Sequence, residues 1–357
     1  MIDTDIHVLI DPEQLLGYVD PAQREWFRSR GPGLGLPDYP WAHPVSWFRD
    51  DAEHETDGAP TTSVGAIQRQ VLDAYSVDIG ILNAADGLAI PLVASSYRAL
   101  ALAQAHNDWL REHYLDQDPR LRAGLVCPAQ DPQAAAKEIR RCANDRRFAH
   151  VLLVGGSERP YGEPRYLPIF EAAAECGLPV AIHSGGEGCG IAASPGGAGP
   201  PAFYIEWHTQ AVAGSIMAHL VSLLCHGMFE RLPNLRILFM EGGIAWLPGI
   251  LWRLDTNWRA LRAEVPWLER KPSEVARDHV WFSTQPLEHT NGNDALFFEM
   301  LEAIGAPDIL CFATDYPHWD FDDPQHVLGR LPESWRSQVM HGNAATLYGD
   351  RLGLVTA

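Results

Sequence analysis

Short apolar runs alternate with longer amphipathic stretches along most of the chain. Eight of these runs are rich in β-branched residues, as buried strands are, and they begin near Ile2, Val77, Leu121, His150, Pro179, Leu235, Val280 and Ile309. Stretches with helical periodicity separate them, at about residues 65–75, 93–115, 134–145, 164–177, 207–229, 243–258 and 294–305. Eight strands that alternate with helices predict an α/β fold, a (β/α)8 TIM barrel. A doubly wound sheet needs fewer strands and usually a Gly-rich first turn, which the DTDIHVL start lacks.

One segment departs from this alternation. From about residue 11 to residue 62, Pro, Gly, Trp and acidic residues occur together without clear periodicity. We therefore predict a single barrel domain over residues 1–357 with an early Trp/Pro-rich insertion at about 11–62. Its Trp41, Trp47 and Phe48 suit a cover over a pocket for a bulky apolar or aromatic substrate, and a dimer interface or plain packing is an equal alternative. The Gly/Pro-rich SPGGAGPP at 194–201 suits a mobile gate.

Composition narrows the choice of partners. The 357 residues include 27 basic and 46 acidic side chains, a formal net charge of −19. Nucleic acids and anionic membranes attract basic faces, so neither is expected as a partner. The sequence has no secretion signal, no long apolar run and six dispersed cysteines, which predicts a soluble, cytoplasmic protein with reduced thiols. We expect a homo-oligomer, a dimer, that acts on a small molecule.

Metal-capable side chains stand at the predicted carboxyl ends of several strands. Asp5 and His7 lie at the end of the first, His183 follows the fifth, Glu241 the sixth and Asp315 the eighth. Side chains alternate along a strand, so Asp5 and His7 share the inward face. Each residue alone is weak evidence, but the carboxyl ends of barrel strands meet at one site. The set therefore predicts a divalent metal, Zn²⁺, Mn²⁺ or Fe²⁺, with a coordination position open for water or substrate.

These residues also lie in recognisable motifs. The chain resembles the amidohydrolase-2 branch of the amidohydrolase superfamily, related to aminocarboxymuconate semialdehyde decarboxylase, in IDTDIH, RYLPIFEAAAECGLPVAIHSG, FERLPNLRILFMEGGIAWLPGILWRLD, FSTQP, FATDYPHWD and GNAATLYG. The resemblance implies that Asp5, His7, His183 and Asp315 bind the metal. Two positions depart from the usual pattern: Asp5 replaces the first histidine, and Glu241 replaces the histidine often found after the sixth strand.

The resemblance also frames the catalytic roles. Asp315 is the expected general base, which later returns its proton to the leaving group. Glu241 has three open roles: a metal ligand or bridge, an unligated acid or base, or a supporting carboxylate. The fourth strand ends in VLLVGG and offers no bridging Lys or Glu, so one ion is expected, with two as the alternative if Glu241 bridges. His318 is a candidate proton donor in the pocket or a structural residue of its loop.

Three other polar side chains are less informative. His208, near Glu206, suits either the mouth of the pocket or a packed helix start. His226 suits the C-terminal end of a helix, where it would interact with the helix dipole. Cys189 has no local base and is expected to be a bystander.

Two enzymatic functions are compatible with this constellation. The first is a metal-dependent hydrolase that uses metal-activated water on an amide, ester, lactone or thioester, and the absence of the sixth-strand histidine favours it. The alternative is a non-oxidative, metal-dependent decarboxylase of an aromatic or enol carboxylate. A catalytically silent barrel that binds a ligand is a third class, which an intact ligand set disfavours.

Overall fold

The computed structural model describes residues 1–30, 48–52, 62–189, 191–192, 201 and 203–353, and it contains a (β/α)8 barrel. Eight parallel strands follow one another in chain order around the sheet. They are β1 (Ile2–Val8), β2 (Ile79–Ala84), β3 (Leu121–Val126), β4 (Phe148–Val154), β5 (Val180–His183), β6 (Ile237–Met240), β7 (Val280–Ser283) and β8 (Leu310–Cys311). All eight strands predicted from the apolar runs are thus confirmed.

Helices separate the strands and cover the outside of the barrel. In chain order the α-helices are α1 (Pro12–Leu16), α2 (Pro21–Arg28), α3 (Val64–Ile67), α4 (Ser96–Leu110), α5 (Pro132–Cys142), α6 (Leu167–Glu175), α7 (Tyr204–Glu206), α8 (Val212–Cys225), α9 (Met228–Arg231), α10 (Leu247–Leu261), α11 (Pro272–His279), α12 (Asp294–Glu302), α13 (Pro324–Arg330), α14 (Glu333–Ser337) and α15 (Asn343–Tyr348). Wider π-helical turns adjoin several of these helices, at Gln68–Leu72, Arg111–Leu115, Trp207–Ala211 and Gln338–Gly342. No helix of the described ranges has the length and apolar character needed to span a membrane.

The last strand returns to the first and closes the barrel. Beyond the end of β8, the Asp315 amide donates to the Asp5 carbonyl at 3.0 Å, and the Thr4 amide donates to the Phe312 carbonyl at 3.0 Å. A buried carboxylate reinforces this junction, because Asp3 accepts hydrogen bonds from the Thr314 hydroxyl at 2.6 Å and the Thr314 amide at 3.0 Å. The closure places the inward-facing residues of β1 beside those that follow β8.

The early excursion is partly helical. The Asp11 and Asp20 side chains cap the first turns of α1 and α2, and each helix has a proline at its start, which is a favourable N-terminal sequence. Leu15, Leu16 and Phe27 are buried, so the helices pack on the barrel. The sequence pattern did not predict them, because helices this short carry too few turns to show a period. Trp41, Trp47 and the 194–200 part of the suggested gate lie outside the described residues.

The junction of β1 and β8 leads to a test of stability. Replacing Asp3 with alanine leaves the buried Thr314 hydroxyl, the Thr314 amide and the Asp5 amide without their acceptor. We expect Asp3→Ala to lower the free energy of unfolding by about 2–4 kcal/mol, measured by chemical denaturation. Glu171→Ala, a change at an exposed position of α6, is the control and should stay within about 0.5 kcal/mol of the parent. Equal effects of the two changes would contradict this role for Asp3.

Candidate metal centre

The structure brings the five candidate metal-binding side chains named from the sequence close together at the carboxyl ends of the strands. His183 Nε2 lies 3.0 Å from Asp5 Oδ2, and His7 Nε2 lies 2.8 Å from Asp315 Oδ1 and 3.4 Å from Asp5 Oδ1. Glu241 approaches from β6, with its Oε2 3.3 Å from His183 Nε2. All five side chains are buried. Apart from Asp5 and His7, they come from distant parts of the sequence. The fold, not local sequence, assembles this cluster.

Two of the carboxylates stand at unusual backbone positions. Glu241 has a φ of 56° and Asp315 a φ of 60°, in the left-handed region that residues with a Cβ rarely adopt. Each follows the end of a strand, where the chain turns sharply out of the barrel. Such a conformation costs about 1–3 kcal/mol, and it persists where the surrounding structure fixes it, often at a functional site.

The arrangement of polar atoms in the cluster suits ligands of a metal ion better than partners in hydrogen bonds. Among the described residues, both ring nitrogens of His7 and the Oδ2 atom of Asp315 are buried and make no hydrogen bond. Ligand atoms about 2.1 Å from a common ion lie about 3.0 Å apart in an octahedron and about 3.4 Å apart in a tetrahedron. The contacts of His183 with Asp5, and of His7 with Asp5 and Asp315, are 2.8–3.4 Å long and fall at these separations. Asp5, His7 and His183 offer ligand atoms within 4.8 Å of one another, and Asp315 joins them through His7. The donor set therefore fits a divalent cation.

The electrostatic environment of His183 points the same way. Its Nδ1–H donates to the Ser184 carbonyl at 2.6 Å, which directs Nε2 at the carboxylates. Burial disfavours the charged imidazolium, yet Asp5 and Glu241 outweigh this and raise the pKa of His183 to about 10. A site that attracts a proton so strongly will attract a metal cation, because both neutralise the same carboxylates.

A buried hydrogen-bond network orients Asp5. Asn83, which pairs with His7 across β1 and β2, donates from its amide to Asp5 Oδ1 at 2.8 Å. His150 Nε2 donates to Asn83 Oδ1 at 3.0 Å, and His150 Nδ1 accepts from the Tyr348 hydroxyl at 3.2 Å. Burial lowers the pKa of His150 to about 3, so the ring is neutral and can make both bonds. Gly124 makes room, since a Cβ there would lie 2.4 Å from Asn83 Oδ1.

Sequence reasoning missed this network. Asn83 and His150 lie within apolar strands, and His150 marked only the start of a predicted strand. The sequence did contain a signal, namely a polar side chain inside an otherwise apolar strand. Such a side chain is buried and needs a hydrogen-bond partner, which indicates a polar network in the barrel.

His318 lies beside the cluster and lines the adjoining pocket. Its Nδ1–H donates to Asp315 Oδ1 at 2.8 Å, and its ring lies 4.3 Å from that of His7. Burial disfavours the charged ring, but Asp315 raises the pKa of His318 to about 9. The pocket is otherwise lined by Leu88, Ser184, Gly185, Tyr204, Trp207, Glu241, Trp319 and Asp320. Both alternatives for His318 thus have a basis: it faces the pocket, and its backbone also pairs with Phe48 of the early excursion.

A second group of metal-capable side chains flanks the first. His208 Nε2 lies 3.5 Å from Glu241 Oε1 and 3.4 Å from Asp320 Oδ2. His208 thus contacts two residues that line the pocket and itself lies in the helical turn Trp207–Ala211. Asp320 was missed, although it ends the DYPHWD motif. His226 lies at the C-terminal end of α8, as predicted, and Cys189 is buried in the loop after β5.

The chain is a (β/α)8 barrel, and imidazoles and carboxylates converge at the carboxyl ends of its strands. These two features are typical of metal-dependent barrel enzymes. A family model described as amidohydrolase matches residues 2–349, and the chain belongs to this family. The resemblance noted from the motifs is thereby confirmed.

Similar proteins narrow the chemistry. The gamma-resorcylate decarboxylase of Rhodococcus jostii (strain RHA1) is 26% identical over 307 residues, which cover 79% of this chain and 86% of that protein. Among solved structures, the dihydroxybenzoic acid decarboxylase of Polaromonas sp. JS666, with bound manganese and the inhibitor 2-nitroresorcinol, is similar with a TM-score of 0.64 and 21% identity, covering 98% of this chain and 96% of that one. An amidohydrolase from Mycobacterium avium subsp. paratuberculosis has a TM-score of 0.71 and 20% identity, covering 99% and 98%.

These relatives correct one expectation. We expected hydrolysis because the sixth-strand histidine is absent, but the curated relatives are decarboxylases, which matches the alternative and contradicts hydrolysis. The inference was wrong because a metal ion that polarises a substrate can serve either reaction. The identity of one acid–base residue does not distinguish them.

The network on Asp5 leads to a second prediction. Asn83→Leu removes the donor to Asp5 Oδ1 and frees the carboxylate to rotate. We expect the affinity for Mn²⁺ to fall about 10- to 100-fold, measured by titration calorimetry, because groups that orient a metal ligand commonly contribute this much. The control is Asn291→Gly, at an exposed turn where φ is 51° and glycine fits without strain. Unchanged affinity in a folded Asn83→Leu protein would contradict the role of the network.

Proposed function

We propose that this protein is a metal-dependent, non-oxidative decarboxylase of an aromatic or enol carboxylate. Asp5, His7, His183 and Asp315 hold the divalent ion. The observation that carries the proposal is the meeting of these four side chains, from β1, β5 and the end of β8, beside a pocket with aromatic walls. The decarboxylase names of the relatives support the choice of reaction.

The pocket suits a planar, partly apolar acid. Leu88, Tyr204, Trp207 and Trp319 form apolar and aromatic walls, against which an aromatic ring can stack. None of the described residues that line the pocket is Lys or Arg. A substrate carboxylate therefore has to find its positive counter-charge at the metal centre and at the histidines beside it.

The ion, when bound, would supply positive charge for the substrate carboxylate and a neighbouring phenol or enol oxygen. The residues of the chain supply orientation and a proton. The reaction replaces a carboxyl group by hydrogen: a proton forms a bond to the substrate carbon, the bond from that carbon to the carboxylate breaks, and carbon dioxide leaves. The electron pair of the broken bond restores the aromatic ring or the enol.

Asp315 and His318 are the proposed proton-transfer pair. The proton lies between His318 Nδ1 and Asp315 Oδ1, which are 2.8 Å apart, at the edge of the pocket. Short, directed hydrogen bonds of this type position a general acid for transfer. Solvent returns the proton after each turnover. Glu241 also lines the pocket, held by the Ser184 hydroxyl at 2.6 Å, where it can orient the substrate.

The reaction itself can be tested directly. The Mn²⁺-loaded enzyme is incubated with 2,6-dihydroxybenzoate and 5-carboxyvanillate, and carbon dioxide is measured. We expect release from at least one carboxylated phenol and, in D₂O, one deuterium in the product at the carbon that lost the carboxylate. Absence of carbon dioxide across a panel of carboxylated phenols and enols, with the enzyme fully loaded, would refute the proposal.

Variants of the proton-transfer pair test the assigned roles. We expect Asp315→Asn and His318→Gln to lower kcat by about 10²- to 10⁴-fold, the usual contribution of a positioned acid or base. His318→Gln should keep its metal, whereas Asp315→Asn should also bind Mn²⁺ more weakly, because Asp315 is a proposed ligand. Asp308→Asn and His341→Gln, at exposed positions, are the matched controls. Full activity of His318→Gln would remove that residue from the mechanism.

A further inference from the structure

We propose that Arg49 is a positioning residue, which holds in place the loop that carries His318 in the pocket. The proposal rests on the proposed function, because it assigns the transfer of a proton to His318. Residues 316–323, which follow the end of β8, are called the donor loop, and residues 48–52, at the end of the early excursion, are called the anchor segment. Three sets of contacts hold the loop: backbone pairing, the Arg49 guanidinium and the Gln70 side chain.

The anchor segment pairs with the donor loop through the backbone. Phe48 and His318 form an antiparallel β-bridge, and the Arg49 amide donates to the Pro317 carbonyl at 3.0 Å. The ring centroids of Phe48 and His318 lie 6.4 Å apart, and the His318 ring is in turn 4.3 Å from that of His7. The segment therefore contacts both the backbone and the ring of the proposed proton donor.

The Arg49 guanidinium joins the two segments. It lies 4.0 Å from the centre of the Phe321 ring, and its Nη2 atom donates to Asp51 Oδ2 at 2.7 Å. The Arg49 side chain is only 16% exposed, and a cation–π contact is stronger when the cation is shielded from water. The Phe321 amide donates to the His318 carbonyl at 3.2 Å, so the ring beneath the cation belongs to the same turn as His318. The guanidinium therefore restrains the turn on which the proposed donor stands.

The Gln70 side chain connects the anchor segment to the start of the donor loop. Its amide nitrogen donates to the Asp51 carbonyl at 2.8 Å, and its amide oxygen accepts from the Tyr316 hydroxyl at 2.6 Å. The Tyr75 hydroxyl donates to Asp323 Oδ2 at 3.0 Å, at the other end of the loop. Both ends of the donor loop are thus fastened, and the anchor segment holds its middle.

The proposed reaction gives a reason for this anchoring. A proton donor acts only within hydrogen-bond reach of the atom that receives the proton, and a misplacement of about 1 Å can lower a rate about 100-fold. His318 stands on an irregular connection between β8 and α13. Contacts from outside the connection therefore help to determine where its ring lies, and Arg49 supplies the charged contact among those of the anchor segment.

Hydrogen exchange tests the anchoring without any reaction. Arg49→Met removes the cation, and the Asp51 side chain that loses its partner is 70% exposed and can be solvated. In the Mn²⁺-loaded, full-length protein we expect the amides of residues 316–323 to exchange about 5- to 30-fold faster by mass spectrometry, the strength of a shielded cation–π contact expressed as a rate. Arg49→Lys keeps a cation at this position and should restore most of the protection. Arg253→Met, at an exposed position of α10, is the matched control and should change nothing.

Kinetics test whether the anchoring acts through His318. We expect Arg49→Met to lower kcat about 10- to 100-fold with little change in KM or in manganese content, because a misplaced donor affects the chemical step. Arg49→Lys should recover most of the lost kcat. In the His318→Gln background, Arg49→Met should cause no further loss, because the group that Arg49 positions is already absent.

The outcomes separate this proposal from the proposed function. Unchanged exchange of the donor loop in Arg49→Met overturns the proposal, whether or not carbon dioxide is released. Faster exchange with an unchanged kcat overturns the positioning role, and so do equal losses of kcat in the parent and in the His318→Gln background. Faster exchange in a protein that releases no carbon dioxide supports the anchoring and refutes only the reaction.

Discussion

The site depends on one structural junction, the hydrogen-bonded closure of the barrel between its first strand and the segment that follows its last. The Asp315 amide bonds to the Asp5 carbonyl, and the His7 amide bonds to the Tyr316 carbonyl at 2.6 Å. These backbone contacts join two ends of the domain that are about 310 residues apart in sequence, a separation whose loop-closure cost the rest of the fold has to offset. Once the junction forms, candidate ligands from both ends of the chain lie side by side. The metal centre and the integrity of the barrel are therefore properties of the same contacts.

The junction also concentrates buried negative charge, and this has a cost for the metal-free protein. Asp3 lies beneath the centre and the ligand carboxylates lie within it, all of them buried. In the metal-free state the histidines offset part of this charge, and the carboxylates in turn raise the pKa values of His183 and His318. A cation that binds the folded state and not the unfolded chain stabilises the fold by mass action. We therefore expect the metal-free centre to destabilise the fold and a bound cation to offset this effect.

Much of this arrangement was predictable from the sequence, for reasons that particular residues make clear. The strands were recognisable because buried parallel strands are continuous apolar runs, and Asp5, His7, His183, Glu241 and Asp315 stood out as the polar residues that end them. Asn83 and His150 were not recognised, because a hydrogen-bond partner across the barrel interior leaves no periodic signal. Asp320 and the position of His208 beside the pocket depend on the path of two loops and on a π-helical turn, which local sequence does not determine. The choice between hydrolysis and decarboxylation was predicted wrongly, since it depends on the substrate that the pocket admits rather than on the ligands.

The histidine missing after the sixth strand has a structural counterpart. The family pattern noted from the sequence often has an imidazole there, and this chain has Glu241 instead. His208 reaches the same neighbourhood from the loop side, with Nε2 3.5 Å from Glu241 Oε1. An imidazole is therefore still present in this part of the centre, and the Glu241 carboxylate lies between the imidazoles of His183 and His208. A carboxylate flanked in this way is a poor lone acid, because the positive charges that surround it favour its ionised form. We therefore propose that Glu241 takes part in binding and does not replace the missing proton donor.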